Sequence, residues 1–223
     1  MKERLIIAID GPPGAGKTSV SKLLARRMKW KLIDTGAMYR AAACVAMEKG
    51  LGLDEEQALT ELLSGLSIDF AMADNSQRIV VNGEDLEDRI RGEEMGRYAS
   101  RVSRLSEVRR VLVRKQMEMG KAGEVVCEGR DATTVIFPHA KFRYFLDAQA
   151  CVRALRRYLE TEVMEMHGSF KDVYDEMIRR DIEDSTREHS PLRLAEGVRF
   201  LDTTGKSIED VVDEILVQVR GEG

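Results

Sequence analysis

Cysteine, histidine, proline and aromatic side chains are all scarce in this chain. Of its 223 residues only three are cysteine, three histidine, four proline and one tryptophan, and aromatics make up 5%. Cys44, Cys127 and Cys151 lie far apart and form no C-x-x-C, which excludes a disulfide-stapled fold and a thiolate metal cluster. Each is flanked by apolar residues, so buried free thiols are expected. His139, His167 and His189 show neither H-E-x-x-H nor finger spacing, so no structural metal is expected. Long apolar runs are missing as well. Leu5-Ile6-Ile7-Ala8-Ile9 is cut by Asp10, far short of the roughly 20 residues that span a bilayer. It also lacks the apolar length and small-residue cleavage site of a signal peptide. A soluble, cytoplasmic chain with no membrane partner is expected. A net charge of −4 argues against a broad footprint on a nucleic-acid polymer.

What is present is enough for one compact domain. With 43% hydrophobic and 33% charged residues, a chain of this length buries about 70% of its unfolded surface without a covalent staple. No repeat, low-complexity tract or Pro/Gly/Ser linker divides it. Basic residues gather locally, at Arg97, Arg101, Arg104, Arg109, Arg110 and Arg114, and again at Arg153, Arg156 and Arg157. Two small basic clusters on an acidic protein suit a small anion better than a long polyanion.

The hydrophobic patterning predicts alternating strands and helices. Leu5–Ile9, Leu32–Ile33, Val125–Cys127, Phe142–Leu146 and Val198–Leu201 read as short buried strands. Helices are predicted from Lys17 to Met28, Ala37 to Glu48, Glu93 to Met119 with a break at 103–106, Ala150 to Met166, Val173 to Ser185 and Ile208 to Val219. Asp54 is the predicted N-cap of a further helix through Leu63, with Gln57 completing a capping box. Between these units Ile68–Met72 alternates, Asp74-Asn75-Ser76 turns, Ile79–Val81 is extended and Asn82-Gly83 signals a hairpin, which together make a small antiparallel insert. The class is therefore α/β, a parallel sheet with helices on both faces. Ligands of such sheets bind beyond the carboxyl ends of the strands, where Asp10, Asp34 and Glu128-to-Asp131 fall.

Gly11-Pro12-Pro13-Gly14-Ala15-Gly16-Lys17-Thr18 matches G-x-x-x-x-G-K-[ST] between a predicted strand and a predicted helix. Its glycines let backbone N–H groups converge on phosphate oxygens, and the helix N-terminus adds positive potential. Lys17 then spans the β- and γ-phosphates, and Thr18 or Ser19 lies near Mg²⁺. Glu128, at a strand end, is a candidate for the carboxylate on the metal's water shell. No N-K-x-D guanine-reading element occurs, which removes the GTPase reading. A second anion needs arginines of its own, because guanidinium groups bind phosphate bidentately and stay charged. Arg130-Asp131 at a strand end is one candidate source. Arg180, Asp184 and Arg187, spaced i, i+4, i+7 on one predicted helical face, are another, while Ile178 and Ile182 share a face that can bury.

Several segments together resemble the bacterial cytidylate kinase family: Ile9-Asp10-Gly11-Pro12, Leu32-Ile33-Asp34-Thr35-Gly36-Ala37-Met38-Tyr39-Arg40 and Glu128-Gly129-Arg130-Asp131. Phe137-Pro138, Phe145-Leu146-Asp147-Ala148, Arg180-Asp181, Ser190-Pro191-Leu192 and Leu201-Asp202-Thr203-Thr204 extend the likeness over essentially the whole chain. The resemblance implies a P-loop kinase fold moving the γ-phosphoryl group of ATP to CMP or dCMP with Mg²⁺. It implies a core at 1–36, 93–152 and 168–223, a monophosphate-binding region with the antiparallel insert at 37–92, and a short helical lid at 153–167. Lys17, Arg130, Asp131, Arg180 and Arg187 are the implied catalytic residues. ATP would meet residues Gly11 to Ser19 and, on the lid, Arg153, Arg156 and Arg157. CMP would meet Thr35, Tyr39, Arg40, Arg109, Arg130, Asp131, Arg180, Asp184 and Arg187. In the family the base is read from the Thr35 and Arg109–Arg130–Asp131 side, with Asp131 assigned to the exocyclic amine. The sugar is held by Asp184, and the phosphate by Arg180, Arg187 and Arg40. A monomer is expected, since no heptad pattern or long apolar seam appears.

The chain also departs from the family pattern. Thr18-Ser19 stands where Gly-Thr is usual, Ala132-Thr133-Thr134 where an apolar residue, Gly and Thr are usual, and Glu128 where Asp is common. The threonine at 133 removes backbone freedom beside the pocket and bears on selectivity among CMP, dCMP and UMP. A kinase of the same fold with another acceptor, such as UMP, dTMP or a small metabolite, and a nucleotide-binding module without turnover are the alternatives.

Overall fold

The computed structural model describes residues 5–73, 76–163 and 169–221. Five strands form one sheet: β1 (Ile6–Asp10), β2 (Lys31–Asp34), β6 (Val125–Gly129), β7 (Phe142–Asp147) and β8 (Arg199–Asp202), in the order β2-β6-β1-β7-β8. β1 pairs in parallel with β6 (Asp10 opposite Gly129) and with β7 (Asp10 opposite Phe145), and β7 pairs in parallel with β8. The central strands β1 and β6 are short, rich in Ile and Val and buried at every position but Ile6, as expected for strands covered on both faces.

Two compact units divide the chain, residues 1–31 with 124–223 and residues 32–123. In the first, α1 (Lys17–Met28) packs on β6 and on α8 (Ile208–Gly221), and Val20 and Leu24 of α1 and Val212 and Ile215 of α8 are buried. α6 (Ala150–Val163) packs on α7 (Phe170–Thr186), and α7 opens with a capping box in which the Ser169 hydroxyl accepts from the Asp172 N–H and the Asp172 carboxylate accepts from the Ser169 N–H. The outer part of the expected lid, residues 164–167, lies outside the described residues.

The second unit holds α2 (Thr35–Glu48), α3 (Glu56–Gly65), α4 (Glu93–Val102), α5 (Ser106–Met119) and the antiparallel sheet β3 (Ile68–Ala73), β4 (Ser76–Val81), β5 (Glu84–Asp85). The helices at 93–119 thus cluster with the insert, because α4 packs on α2 and α5 on α3. Asn82 and Gly83 take φ of 50° and 86° between β4 and β5, the left-handed pair that an Asn-Gly hairpin turn requires. Residues 74 and 75 of the expected turn lie outside the described residues. The Gln77 amide ties the insert to β2 by imitating a strand partner: its Oε1 accepts from the Leu32 N–H at 3.1 Å and its Nε2 donates to the Leu32 carbonyl at 2.7 Å.

Four local expectations are corrected. The helix after Gly52 starts at Glu56 with Glu55 as N-cap and no side-chain cap. The Glu55 carboxylate reaches back to the Gly52 N–H instead, and Gln57 bonds forward to Glu61, so Asp54 caps nothing here. α7 ends at Thr186, and Arg187 is already extended, so it leaves the helical face of Arg180 and Asp184. Hydroxyls of Ser185 and Thr186 back-bond to carbonyls of the last turn, which competes with further helix. Ile182 is exposed, because α7 turns Met177 and Asp184 inward. Cys151, second residue of α6, is exposed, whereas Cys44 and Cys127 are buried as expected.

Candidate functional site

The loop from Gly11 to Gly16 joins β1 to α1 and is built on close approach. Gly11 has φ of 151°, and a Cβ there would run into the Leu146 carbonyl. Gly14 has φ of 74°, and a Cβ there would stand 2.8 Å from the Arg153 carbonyl oxygen. Only glycine fits either position. Gly16 is the left-handed N-cap of α1, with no side-chain cap and no acidic residue in the first turn. The first N–H groups of α1 are therefore left without a side-chain acceptor at the positive end of the helix, the arrangement that receives phosphate.

Lys17 is buried and its ammonium donates to the Pro12 carbonyl at 2.8 Å. Burial, helped by the Arg130 charge, lowers its pKa to about 7, against the opposing pull of Glu128, Asp184 and Asp10. The Thr18 hydroxyl donates to Glu128 Oε1 at 2.6 Å; Thr18 and Ser19 are both exposed. Of the two hydroxyls, Thr18 is the one that meets the strand-end carboxylate. A hydroxyl and a carboxylate are hard oxygen donors on one spot. They fit Mg²⁺, which takes one or two protein oxygens and completes its shell with phosphate and water. Among the described residues no cluster of three metal-ligating side chains occurs.

Arg153 and Arg156 of α6 hold this loop from outside. The Arg153 side chain is only 6% exposed; its Nη1 donates to the Pro13 carbonyl at 3.1 Å and its Nε to the Ala148 carbonyl at 2.9 Å. It forks onto both oxygens of Asp181 at 3.1 and 2.6 Å, and Asp147 lies 3.2 Å from Nε. Arg156 donates to the Gly14 carbonyl and to both oxygens of Thr203, whose hydroxyl in turn donates to the Ala15 carbonyl. Arg157 stands apart in an exposed pair with Glu160.

Beyond the end of β6, Arg130 Nε donates to Asp184 Oδ2 at 2.7 Å. Burial disfavours the Arg130 charge, yet Asp184, Glu128 and Asp10 outweigh it and raise its pKa above the ordinary value. Burial likewise works against the Asp184 carboxylate, but Arg130, Arg180 and Arg187 hold its pKa below the usual range. Asp131 is buried and caps a π-helical turn, Ala132–Ile136. Arg187 Nε donates to the Ser190 carbonyl at 2.6 Å, and the Leu192 N–H bonds to the Asp184 carbonyl. The first unit thus brings together Lys17, Thr18, Glu128, Arg130, Asp184 and Arg180.

In the second unit, Asp34 ends β2 and accepts from the Ala37 N–H at 2.8 Å, so α2 begins at Thr35, two residues earlier than expected. That cap places Thr35 in the first turn and leaves Arg40 3.7 Å from Asp34. Tyr39, also on α2, lies under the buried Arg109 guanidinium, 5.6 Å from ring centroid to Cζ, and Arg109 Nη1 donates to the Ser103 carbonyl. Thr35, Tyr39, Arg40 and Arg109 are therefore carried by α2 and α5 of the same unit.

Sequence reasoning placed Asp10 at the ligand-binding edge and Asp181 and Thr203 within family-like segments, but gave none of the three a role in this machinery. Asp10 and Asp181 each stand beside a residue already singled out, Gly11 and Arg180, and an acid in an apolar strand is a signal in its own right. Nothing local in Thr203 announces a contact to residue 15.

The family model described as "Cytidylate kinase" matches residues 7–221. A cytidylate kinase of Geobacter sp. (strain M21) is 44% identical over 94% of this chain and 90% of its own length. One from Pasteurella multocida is 37% identical over 99% of this chain and 97% of its own length. A solved structure of an uncharacterized protein from Eubacterium ventriosum covers 98% of this chain and 99% of its own, at 12% identity and a TM-score of 0.55, and shares the fold. Matched in sequence along nearly its whole length, with the phosphate loop and the strand-end arginine and carboxylates in place, the chain belongs to the cytidylate kinase family.

Proposed function

We propose that this protein transfers the γ-phosphoryl group of ATP to CMP or dCMP, giving ADP and CDP or dCDP. The observation that carries this reading is one assembly in the first unit: a glycine-built phosphate loop with Lys17, next to a part-buried Arg130–Asp184 pair at the neighbouring strand end. Family membership supplies the cytosine nucleotide as acceptor.

Phosphoryl transfer passes through a loose transition state with charge spread over the equatorial oxygens, so the protein contributes position and positive charge. Backbone N–H groups of the loop and the first turn of α1 receive the β- and γ-phosphates of ATP. Lys17, whose charge burial disfavours in the free protein, is held in its ammonium form by the arriving phosphates and spans them. Thr18 and Glu128 would hold Mg²⁺ with the nucleotide; bound there, it neutralises charge on the transferring group. Arg180 and Arg187 bring fixed charge to the acceptor phosphate, Asp184 binds the sugar and keeps Arg130 oriented, and Arg130 and Asp131 serve the base side, with Asp131 accepting from the cytosine amine. The family resemblance assigns Thr35 and Arg109 to the base side as well, Arg40 to the acceptor phosphate, and a further acceptor contact to Tyr39. Arg153 and Arg156 support the loop through its carbonyls and, with Arg157, close over ATP. The enzyme is taken to work as a cytoplasmic monomer; among the described residues no helix is long and apolar enough to cross a membrane.

The test is an ADP-release assay with Mg-ATP and CMP, dCMP, UMP, AMP, GMP and dTMP separately, beside a Lys17→Ala control. Turnover confined to CMP and dCMP, and lost in the control, is the expected result. Turnover with another monophosphate alone would overturn the acceptor assignment, and ATP binding without any turnover would replace the kinase with a binding module.

A further inference from the structure

Asp10 is wholly buried at the end of β1. Its hydrogen bonds reach across to the chain that follows Arg130 and Asp131. Oδ1 accepts from the Ala132 N–H at 2.8 Å; Oδ2 accepts from the Thr133 N–H at 2.8 Å and the Thr133 hydroxyl at 2.6 Å. These two amides open the π-helical turn Ala132–Ile136, whose own bonds begin later, from the Val135 and Ile136 N–H groups to the Asp131 carbonyl. The opening N–H groups of a helical turn have no partner within it, and both are satisfied here by a carboxylate more than a hundred residues away in sequence.

The consequence falls on Arg130 and Asp131. On one side the chain is pinned at Gly129 by its register opposite Asp10; on the other it is pinned at Ala132 and Thr133 by the Asp10 side chain. Only two residues lie between the pins, and they are the arginine that meets Asp184 and the carboxylate assigned to the base. The next residue after Asp10 is Gly11, where the phosphate loop starts.

We propose that Asp10 is a positioning residue for phosphoryl transfer, holding Arg130 and Asp131 in fixed relation to the phosphate loop, with the Thr133 hydroxyl as its lock. The inference rests on the kinase reading above. It also assigns a use to the departure at position 133: where the family pattern has glycine and offers one donor, the amide, threonine offers two. Burial pushes the Asp10 pKa up to about 6, while the Thr133 hydroxyl and amide pull it down, so the hydroxyl favours the ionised, accepting form. The charged groups around this carboxylate are Asp131, Lys17 and Arg130.

The test compares Asp10→Asn, Thr133→Val and Thr133→Ser with the parent in two readouts: steady-state kinetics with ATP and CMP varied independently, and amide hydrogen exchange of peptides spanning 129–137. Misplacing a reacting group by about 1 Å costs on the order of 100-fold. Asp10→Asn is therefore expected to lower kcat/KM for CMP by about 30- to 100-fold while the KM for ATP moves less than about threefold. Thr133→Val should show the same pattern at about 3- to 10-fold, and Thr133→Ser, which keeps the hydroxyl, should restore the parent value. Exchange at 132–133 should rise at least about tenfold in Asp10→Asn, since its amides lose an acceptor. A change of kcat/KM for CMP under threefold in folded Asp10→Asn, an equal fall on the ATP side, or serine behaving like valine would overturn the proposal. Should the parent protein not turn over CMP at all, the kinase reading fails, and exchange alone decides the anchoring: unchanged protection in Asp10→Asn refutes it.

Discussion

Removing Asp181 tests whether the phosphate loop is held by an ion pair reaching it from α7. The Arg153 guanidinium is 6% exposed and Asp181 23% exposed, with the two joined by a two-pronged contact at 3.1 and 2.6 Å. Truncating one partner of a buried pair costs about 3–5 kcal/mol, because the survivor is left charged and desolvated. In Asp181→Ala that cost is reduced, since Asp147 remains 3.2 Å from Nε and the Pro13 and Ala148 carbonyls still accept. About 2–3 kcal/mol is the expected loss, which in a chain of this size lowers Tm by roughly 4–12 °C. The measurement is thermal and urea unfolding of the parent, Asp181→Ala, Arg153→Ala and the double variant. A coupling of at least about 1.5 kcal/mol is expected, because the two side chains are in direct contact. ATP should bind several-fold more weakly in both single variants, as the Pro13 and Gly14 backbone loses its brace. Additive single effects, or a Tm within about 2 °C of the parent for Asp181→Ala, would refute this reasoning.

Three further outcomes are expected. Asp131→Ala should raise the KM for CMP with the KM for ATP little changed, whereas Arg187→Ala should weaken every monophosphate alike; an unchanged CMP KM would remove Asp131 from base recognition. The Asp10 carboxyl, raised from 3.8 to about 6 by burial, contributes stability that is complete below about pH 4 and lost as pH rises through 6, at most about 3 kcal/mol. Asp10→Asn, which cannot ionise, should therefore gain on the parent in urea unfolding between pH 4 and 7, and parallel curves would contradict the buried charge. Cys151 should react at once with a thiol reagent at one equivalent per chain. Cys44, pushed up to about 11 by burial, and the buried Cys127 should react only after unfolding; three fast thiols would refute the placement.

The strand–helix alternation, the phosphate loop and the family were legible in the chain because each is written locally. A short apolar run that ends in Asp10-Gly11 is a buried strand meeting a turn, and Gly16-Lys17-Thr18 opens a helix whose apolar spacing follows directly. The misplaced details are those in which two local signals compete or a distant partner wins. Asp54 has the right residue type for a cap, yet Glu55 takes the position and bonds to Gly52. Arg187 continues the helical spacing, but the helix has already ended, its last turn weakened by the hydroxyls of Ser185 and Thr186. Ile182 reads as the buried face, yet α7 turns Asp184 inward because Arg130 is there to receive its charge.

By itself the sequence determined the class of chemistry, since a glycine-rich loop, a lysine and a hydroxyl at fixed spacing form a phosphate cradle through backbone geometry alone. Only the tertiary structure decided which groups that cradle leans on: Arg153 against Pro13 and Asp181, Thr203 against Ala15, Asp10 against Ala132 and Thr133. Those contacts join residues 28 to 188 positions apart. Hydrogen bonds of that kind depend on distance in space, which no periodicity along the chain encodes.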